Sequence, residues 1–459
     1  MSSIGVRRSV AACVSWLALI FCASLYAEDC APKTLTPRET QRRLSELAKS
    51  AQAEMAQHRF QQAAHDLREA ACLDPRDSKI FYGLGSMEAA SGNFLEARKA
   101  LVTADRLQPG SPLSLAMLVR VNASMGDVDS MKAALSQLAV RFAANSELHA
   151  ALAQFLLQNK FSDLALAESL RSQKAGSTSP QSMLDLAVLE NTVGAYDDAI
   201  RNAVALESQA ALPASVRASA AGIAGLSYES SGQREPAMAH LQTAIQLDPS
   251  RENSYLALSF LLEKAERYNE AAAILEQGRA KLPQSTALLL PLGSNLILAE
   301  KYAEGISVLQ ELLRKSPNEY DAYLKLADAF RKTGGGDKEI KILRELESRK
   351  PDYPQIHLLL ARALLNFEPV DYSGTLDELA LAEQASTPDA EIFYLRGKVY
   401  LATHRNHEAV AALQHAIELG PMDPSPYYQL GRLYEKLGQP EKAKDTFARM
   451  QYLKSNANR

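Results

Sequence analysis

The sequence predicts an all-α protein built from repeated pairs of helices, and three observations support this. Pro249, Pro283, Pro317 and Pro351 stand 34 residues apart, which indicates an internal repeat. The same small and apolar residues recur in register between these prolines. They follow helical spacing in two stretches, separated by turn sequences such as Gly-Asn and Gly-Asp. The pattern therefore predicts stacked helix pairs instead of one central core.

The repeat has a consistent internal pattern when the proline is counted as position 32 of a 34-residue unit. The unit before Pro109 has, at positions 4, 7, 8, 20, 24 and 27, the residues Phe81, Leu84, Gly85, Ala97, Leu101 and Ala104. The unit before Pro249 has a residue at position 11 as well, Tyr228, and at the same six positions it has Ala221, Ala224, Gly225, Ala237, Leu241 and Ala244. The unit before Pro421 has Phe393, Gly397, Tyr400, Ala409, Leu413 and Ala416. Small residues allow two helix backbones to approach, and the closing proline cannot continue a helix interior.

This pattern resembles the tetratricopeptide repeat, here of an exported bacterial type. The resemblance implies a right-handed superhelical solenoid of about twelve antiparallel helix pairs, which binds protein partners in its concave groove and catalyses no reaction. We assign residues 44–455 to the solenoid, with units that begin near Leu44, Ser78, Pro112, Ser146, Pro180, Ala218, Glu252, Thr286, Tyr320, Pro354, Ala390 and Pro424.

Three local departures from the repeat are visible. Residues 209–215 and 367–374 lengthen their units, and both insertions are predicted to be loops. In the unit from Ser146, Ser169 and Ser172 occupy positions that are otherwise apolar or small, so we expect looser pairing there.

The two ends of the chain carry little repeat character. Residues 28–43 form a lead-in segment and the start of the first helix, where Thr36, Pro37 and Glu39 have the spacing of a capping box with proline at the first helical position. Residues 456–459 are a short tail.

The first 27 residues are typical of an export signal. Arg7 and Arg8 precede a stretch from residue 9 to residue 27 that contains no charge, and residues 24–27 are the expected cleavage region. A signal peptide predicts a periplasmic or secreted protein. The stretch is also close to the length that spans a bilayer, so an uncleaved membrane anchor is the alternative, and a cytosolic chain is a third interpretation.

Composition and charge exclude some function classes. Lys and Arg total 50 and Asp and Glu total 54, a net charge of −4 that argues against a strongly basic nucleic-acid binder. The hydrophobic fraction of 47% and the charged fraction of 23% are ordinary for a folded soluble protein.

Four cysteines are present, and two of them follow the signal. Cys30 and Cys72 could form a disulfide bond in an exported protein, or they could remain two unpaired thiols.

No motif for catalysis or for a cofactor is recognised. Of the eight histidines, only His404, His407 and His415 cluster, and the last two are too far apart on one helix to share a metal without other ligands. Residues 334–336 are three glycines without the Gly-Lys-Ser/Thr ending of a phosphate-binding loop, so they are interpreted as a turn. We therefore expect no enzyme activity, cofactor or metal.

Function is then expected on a surface. By resemblance, positions 2, 5, 9 and 12 of each first helix line the groove. From Pro180 to the unit of Pro354 these positions are largely apolar and either pack against neighbouring helices or await a partner: Leu184, Val188, Leu256, Phe260, Leu290, Leu324 and Leu358.

The last three units form the candidate site. Position 9 holds Arg362, Lys398 and Arg432, and position 5 holds Tyr394 and Tyr428 in the last two units. Cations pair with carboxylates, and tyrosine adds contact area, so these five residues could grip an extended peptide or an acidic helix. The alternative is that the tyrosines pack between repeats and the cations pair with glutamates of the same chain, Glu391 or Glu435.

The sequence thus predicts a non-catalytic, exported scaffold for protein partners, as an accessory to an envelope assembly or secretion system. A cytosolic or membrane-anchored regulator is one alternative. A carbohydrate-binding protein or an enzyme disguised by the repeat is another.

Overall fold

A computed structural model of the chain describes residues 35–385, 389–420 and 423–457, and every regular element in these ranges is a helix. The chain folds as two compact units, each of which contains several repeats. We call the part up to Leu206 the first unit and the part from Glu207 onward the second unit. The twenty-four helices of the described residues form twelve pairs, which confirms the all-α prediction and the number of repeats.

The first unit contains five pairs. Their helices are α1 (Pro37–Ala56), α2 (Phe60–Leu73), α3 (Ser78–Ala90), α4 (Phe94–Leu107), α5 (Leu113–Met125), α6 (Val128–Arg141), α7 (Ser146–Gln158), α8 (Ser162–Lys174), α9 (Pro180–Thr192) and α10 (Tyr196–Glu207), which ends at the boundary between the units.

The second unit contains seven pairs. Their helices are α11 (Ala214–Ser230), α12 (Arg234–Leu247), α13 (Glu252–Lys264), α14 (Tyr268–Lys281), α15 (Leu289–Leu298), α16 (Tyr302–Lys315), α17 (Tyr320–Lys332), α18 (Gly336–Arg349), α19 (Ile356–Asn366), α20 (Tyr372–Ala385), α21 (Ala390–Ala402), α22 (Asn406–Glu418), α23 (Ser425–Lys436) and α24 (Pro440–Ala457).

In several pairs, a glycine of the first helix faces a leucine of the second helix. A Cβ atom at Gly85 would lie 2.6 Å from Cγ of Leu101, closer than real Cβ contacts come. Gly225 stands in the same relation to Leu241, again at 2.6 Å. Because glycine has no side chain, the leucine of the second helix packs directly against the backbone of the first helix. This contact gives the dense packing of a protein interior.

A buried tyrosine connects consecutive pairs at two places in the second unit. Tyr255 and Tyr323 are fully buried, and both occupy position 4 of their repeat. The hydroxyl of Tyr255 donates to the carbonyl oxygen of Pro249, and that of Tyr323 donates to the carbonyl oxygen of Pro317, each at 3.1 Å. The repeat proline therefore ends one pair, and its carbonyl group satisfies a buried hydroxyl of the next.

The local predictions at Thr36 and Ser172 have different outcomes. Thr36 and Glu39 form the capping box reciprocally, with Pro37 at the start of α1. Ser169 and Ser172 are buried, and the Ser172 hydroxyl donates to the carbonyl oxygen of Ser146 at 2.8 Å. This hydrogen bond joins α7 and α8 at repeat positions that are otherwise apolar or small.

The signal region 1–27, residues 28–34 and the last residues of the tail lie outside the described residues. Cys72 is disulfide-bonded. Cys30 is also outside the described ranges, so the pairing of Cys30 with Cys72 stays a prediction. Among the helices that the structure describes, none is both long and apolar enough to cross a membrane.

Candidate partner-binding surface

The five residues of the predicted site lie on the first helices of the last three pairs. Arg362 belongs to α19, Tyr394 and Lys398 belong to α21, and Tyr428 and Arg432 belong to α23. Arg362, Lys398 and Arg432 occupy the same repeat position on consecutive pairs, and we call these three residues the basic row. Their side chains have different surroundings, which decide how much positive charge each one offers.

Arg362 is paired within the chain. Its Nε and Nη2 donate to Oε1 of Glu391 at 3.0 and 2.7 Å. Glu391 lies in the first turn of α21, so this ion pair joins the first helices of two consecutive pairs. Because both side chains are partly exposed, the pair is accessible to a competing carboxylate, and its net stabilisation is expected to be small.

The other two cations of the basic row are less engaged. Arg432 is 64% exposed, and its Nη1 lies 3.8 Å from Oε2 of Glu435, near the limit of an ion pair. Lys398 is half-buried and forms no ion pair within the residues that the structure describes. Both glutamate pairings that were the sequence alternative are thus present, and Lys398 is the member of the basic row without an ion pair in the described ranges.

The two tyrosines differ in burial. Tyr394 packs against the apolar clusters on both sides of α21, and this burial raises the pKa of its hydroxyl, while the hydrogen bond with Ser425 acts in the opposite direction. Tyr428 is 48% exposed, with its ring centroid 6.3 Å from that of Phe447. Tyr394 therefore acts mainly in packing, and Tyr428 offers apolar contact area to a partner.

The apolar groove residues named from the sequence separate into three groups. Leu184 and Leu358 are buried, and Val188 and Phe260 are exposed by 39% and 49%. The remaining three are half-buried: Leu256, Leu290 and Leu324. Packing between helices thus accounts for most of the set.

Position 9 of the repeat is where apolar side chains stay accessible. Val188 and Phe260 occupy it, and so does Leu226, which is 43% exposed and which sequence reasoning did not name. The signal for Leu226 was its place in the repeat. In the second unit, position 9 thus presents Leu226 and Phe260 in the early pairs and the basic row in the last pairs.

A cavity of about 350 Å³ lies beside Arg362, between α17, α18 and α19. Its lining includes Leu324, Asp328, Arg331 and Glu339 as well as Arg362. Burial raises the pKa of the Glu339 carboxyl, and the nearby Arg331 acts in the opposite direction. The cavity places a recess and a buried acid next to the first cation of the basic row.

Sequence comparison identifies the repeat independently. A family described as TPR repeat matches residues 397–438, and families described as tetratricopeptide repeat match residues 49–112, 230–290, 296–363 and 424–456. Together these matches cover more than half of the chain. No curated protein matches the chain.

Several solved structures match the chain at low identity and low TM-score. The structure of Naa15/Naa10 bound to HypK-THB matches with 15% identity and a TM-score of 0.42. The match covers 90% of this chain and 64% of the chain in that structure. Yeast Tom70 has 15% identity and a TM-score of 0.34, and the match covers 90% of this chain and 93% of Tom70. A tetratricopeptide repeat protein from Parabacteroides merdae has 14% identity, a TM-score of 0.36 and coverages of 63% and 98%. None of these matches identifies a partner of this chain.

Proposed function

The chain belongs to the tetratricopeptide repeat family, and from this premise we propose that it is a non-catalytic scaffold that binds an acidic peptide or helix of a partner protein. Stacked helix pairs of this kind present extended surfaces that suit protein partners. The observation that carries the proposal is the basic row, in which Lys398 is free of ion pairs within the described ranges and Arg432 is only loosely engaged.

The chemistry of the surface defines the partner. Carboxylates of a partner would pair with Lys398 and Arg432 directly, and would compete with Glu391 for Arg362. Charge-assisted hydrogen bonds to guanidinium groups are among the strongest that proteins form. Tyr428 adds an exposed aromatic face beside the cations, as partner-binding surfaces commonly do.

We place the scaffold outside the cytoplasm, in the periplasm or secreted, as an accessory to an envelope assembly or secretion system. Arg7, Arg8 and the uncharged residues 9–27 support export, and the disulfide bond of Cys72 is compatible with an oxidising compartment. Retention of the first segment as an anchor would keep the same scaffold at a membrane. A cytosolic regulator, or a carbohydrate-binding or enzymatic role, is the remaining alternative.

The test of the surface is an affinity capture from native envelope extract, with bound proteins identified by mass spectrometry. The variant Arg362→Glu, Lys398→Glu, Arg432→Glu should lose a partner that the wild type retains. A matched control reverses three exposed cations of the first unit, Arg42→Glu, Lys49→Glu, Arg201→Glu, and so makes the same change in net charge. Equal capture by both variants, with unchanged helicity by circular dichroism, would contradict the proposed surface.

The test of location is fractionation of cells that express the chain with and without residues 1–27. The full chain should appear in the periplasm or medium, and the truncated chain in the cytosol. Recovery of the full chain in the membrane fraction after carbonate extraction would favour the anchor, and recovery only in the cytosol would contradict export.

A further inference from the structure

Glu347, His357 and Glu378 bring three metal-ligating side chains together in the second unit. Their ligand atoms all lie within 4.8 Å of one another, and they come from three consecutive helices, α18, α19 and α20. We propose that these three residues bind one divalent metal ion that prefers nitrogen and oxygen ligands, such as Zn²⁺.

The distances suit a shared ion. Nδ1 of His357 lies 2.9 Å from Oε2 of Glu378 and 3.5 Å from Oε1 of Glu347. Ligands of tetrahedral Zn²⁺ at bond lengths of about 2.0 to 2.2 Å are separated by roughly 3.3 to 3.6 Å. Small side-chain rotations would therefore complete the coordination without a change in the backbone.

Arg344 holds the two carboxylates by their outer oxygens. Its Nη1 lies 3.0 Å from Oε2 of Glu347 and 2.5 Å from Oε1 of Glu378. The inner oxygens, Oε1 of Glu347 and Oε2 of Glu378, are the ones that face the imidazole. Arg344 would thus be an outer-sphere residue that orients the metal ligands. Such residues commonly tune metal affinity.

The local charge also favours a cation. The formal charges of two glutamates and one arginine sum to −1 at the cluster, and the side chain of Glu378 is only 5% exposed. Without a metal, Nδ1 of His357 lies within hydrogen-bond distance of Oε2 of Glu378, at 2.9 Å. A bound M²⁺ would occupy Nδ1, and the single N–H proton of the imidazole would then lie on Nε2, so metal binding would require the other tautomer of His357.

His357 also lines a cavity of about 640 Å³. This space gives the imidazole side of the cluster access to water, which would fill the coordination positions that the protein leaves open. A site with three protein ligands and an open position is a common arrangement for Zn²⁺.

A second histidine shows what the cluster is without its third ligand. His149 occupies the same repeat position as His357, and its Nδ1 lies 2.6 Å from Oε2 of Glu168, with both side chains fully buried. Arg171 bonds the other oxygen of that carboxylate. The repeat position of Glu347, however, is occupied by Ala139 in this part of the chain. The first unit thus has a histidine in contact with one glutamate, and the second has the same contact with an added carboxyl group and a neighbouring cavity.

The test uses the full chain without an affinity tag, stripped of metal with a chelator and dialysed. Titration with ZnCl₂ followed by calorimetry, and with CoCl₂ followed by visible absorption, should give one bound ion per chain. His357→Gln should abolish this binding, and Arg344→Gln should weaken it by about 10- to 100-fold, the usual effect of losing an outer-sphere partner. The control His415→Gln changes an exposed histidine that pairs with Glu418, and it should bind as the wild type does.

Glu347→Gln provides a second variant, because its side chain is partly exposed and its loss should not impair folding. It should also weaken binding strongly, with a circular dichroism spectrum like that of the wild type. Absence of stoichiometric binding by the wild type, or affinities in His357→Gln and Glu347→Gln equal to that of the wild type, would overturn the proposal.

Discussion

Arg362 donates through Nε and Nη2 to a single carboxylate oxygen of Glu391, at 3.0 and 2.7 Å. The two residues belong to the first helices of consecutive pairs, so the bond crosses a repeat boundary. Because this carboxylate occupies the guanidinium, the charge that Arg362 presents to a partner depends on how readily Glu391 gives way.

Glu391→Gln should therefore increase the affinity for an acidic ligand by about threefold, since a competing interaction of a few tenths of a kcal/mol up to 1 kcal/mol is removed. The measurement is fluorescence anisotropy with a labelled peptide of alternating glutamate and tyrosine. Glu435→Gln is the matched control and should have a smaller effect, because Glu435 lies 3.8 Å from Arg432. A decrease in affinity for Glu391→Gln would mean that Glu391 does not compete with the ligand.

Gly225→Ala should destabilise the second unit by about 1 to 3 kcal/mol, the usual cost of overpacking. Its added methyl group would lie 2.6 Å from Cγ of Leu241 and 3.1 Å from the carbonyl oxygen of Ala237. Urea unfolding followed by circular dichroism measures the difference in the midpoint.

Gly222→Ala on the same helix α11 is the control, because a Cβ there meets nothing within 4 Å. It should be neutral or stabilise by up to about 1 kcal/mol through higher helix propensity. Equal destabilisation by both substitutions would show that the contact with Leu241 is not the cause.

Glu190 predicts a specific pH dependence of stability. Burial raises the pKa of its carboxyl above the ordinary value of 4.5, although Nδ2 of Asn202 donates to both oxygens and acts in the opposite direction. The folded protein thus holds this proton more tightly than the unfolded chain. The contribution of Glu190 to the free energy of unfolding is largest below pH 4.5 and falls as the pH rises through the raised pKa.

Glu190→Gln should remove this contribution. The free energy of unfolding of the variant relative to wild type should be higher at neutral pH than below pH 4.5, as measured by urea unfolding at a series of pH values. Asp197→Asn changes an exposed acid at the start of α10 and serves as the control. A difference that is constant with pH would contradict the assignment to Glu190.

Peptide mapping of the exported protein under non-reducing conditions should yield one cross-linked peptide that contains Cys30 and Cys72. Cys72→Ser should lower the stability of the first helix pairs by about 2 to 5 kcal/mol, as loss of a native disulfide does in small domains. Wild type treated with reductant should unfold like Cys72→Ser. Recovery of Cys30 as a free thiol in the oxidised protein would rule out the pairing.

The fold was predictable because its packing repeats. Gly85 and Gly225 recur at one repeat position, and the leucines that they face recur at another, so residue spacing alone was enough to predict two helices and the contact between them. Exposure was harder to predict. Leu358 and Phe260 both lie on the face expected to line the groove, yet one is buried and the other is half exposed. Leu358 occupies repeat position 5 and Phe260 occupies position 9, and the sequence pattern alone did not show which of these two positions the neighbouring helices cover.

The cluster of Glu347, His357 and Glu378 could not be found by a search for local motifs. Its ligands come from three helices and two repeats, whereas the histidines that cluster in the sequence, His404, His407 and His415, are close only along the chain. A comparison of repeat positions does relate His149 to His357. That comparison does not show that Glu347 approaches His357 and Glu378, because this approach depends on how α18 packs against α19.

The contact between Gly85 and Leu101, like that between Gly225 and Leu241, lies wholly inside one helix pair. Closing such a pair requires no part of the chain that is distant in sequence, and contacts of this kind form quickly. Each pair can thus acquire its native packing as soon as its own residues are available, and then serve as a template for the pair that follows. Assembly of the protein would accordingly proceed stepwise along the chain, in the order in which the ribosome or a translocation channel releases it.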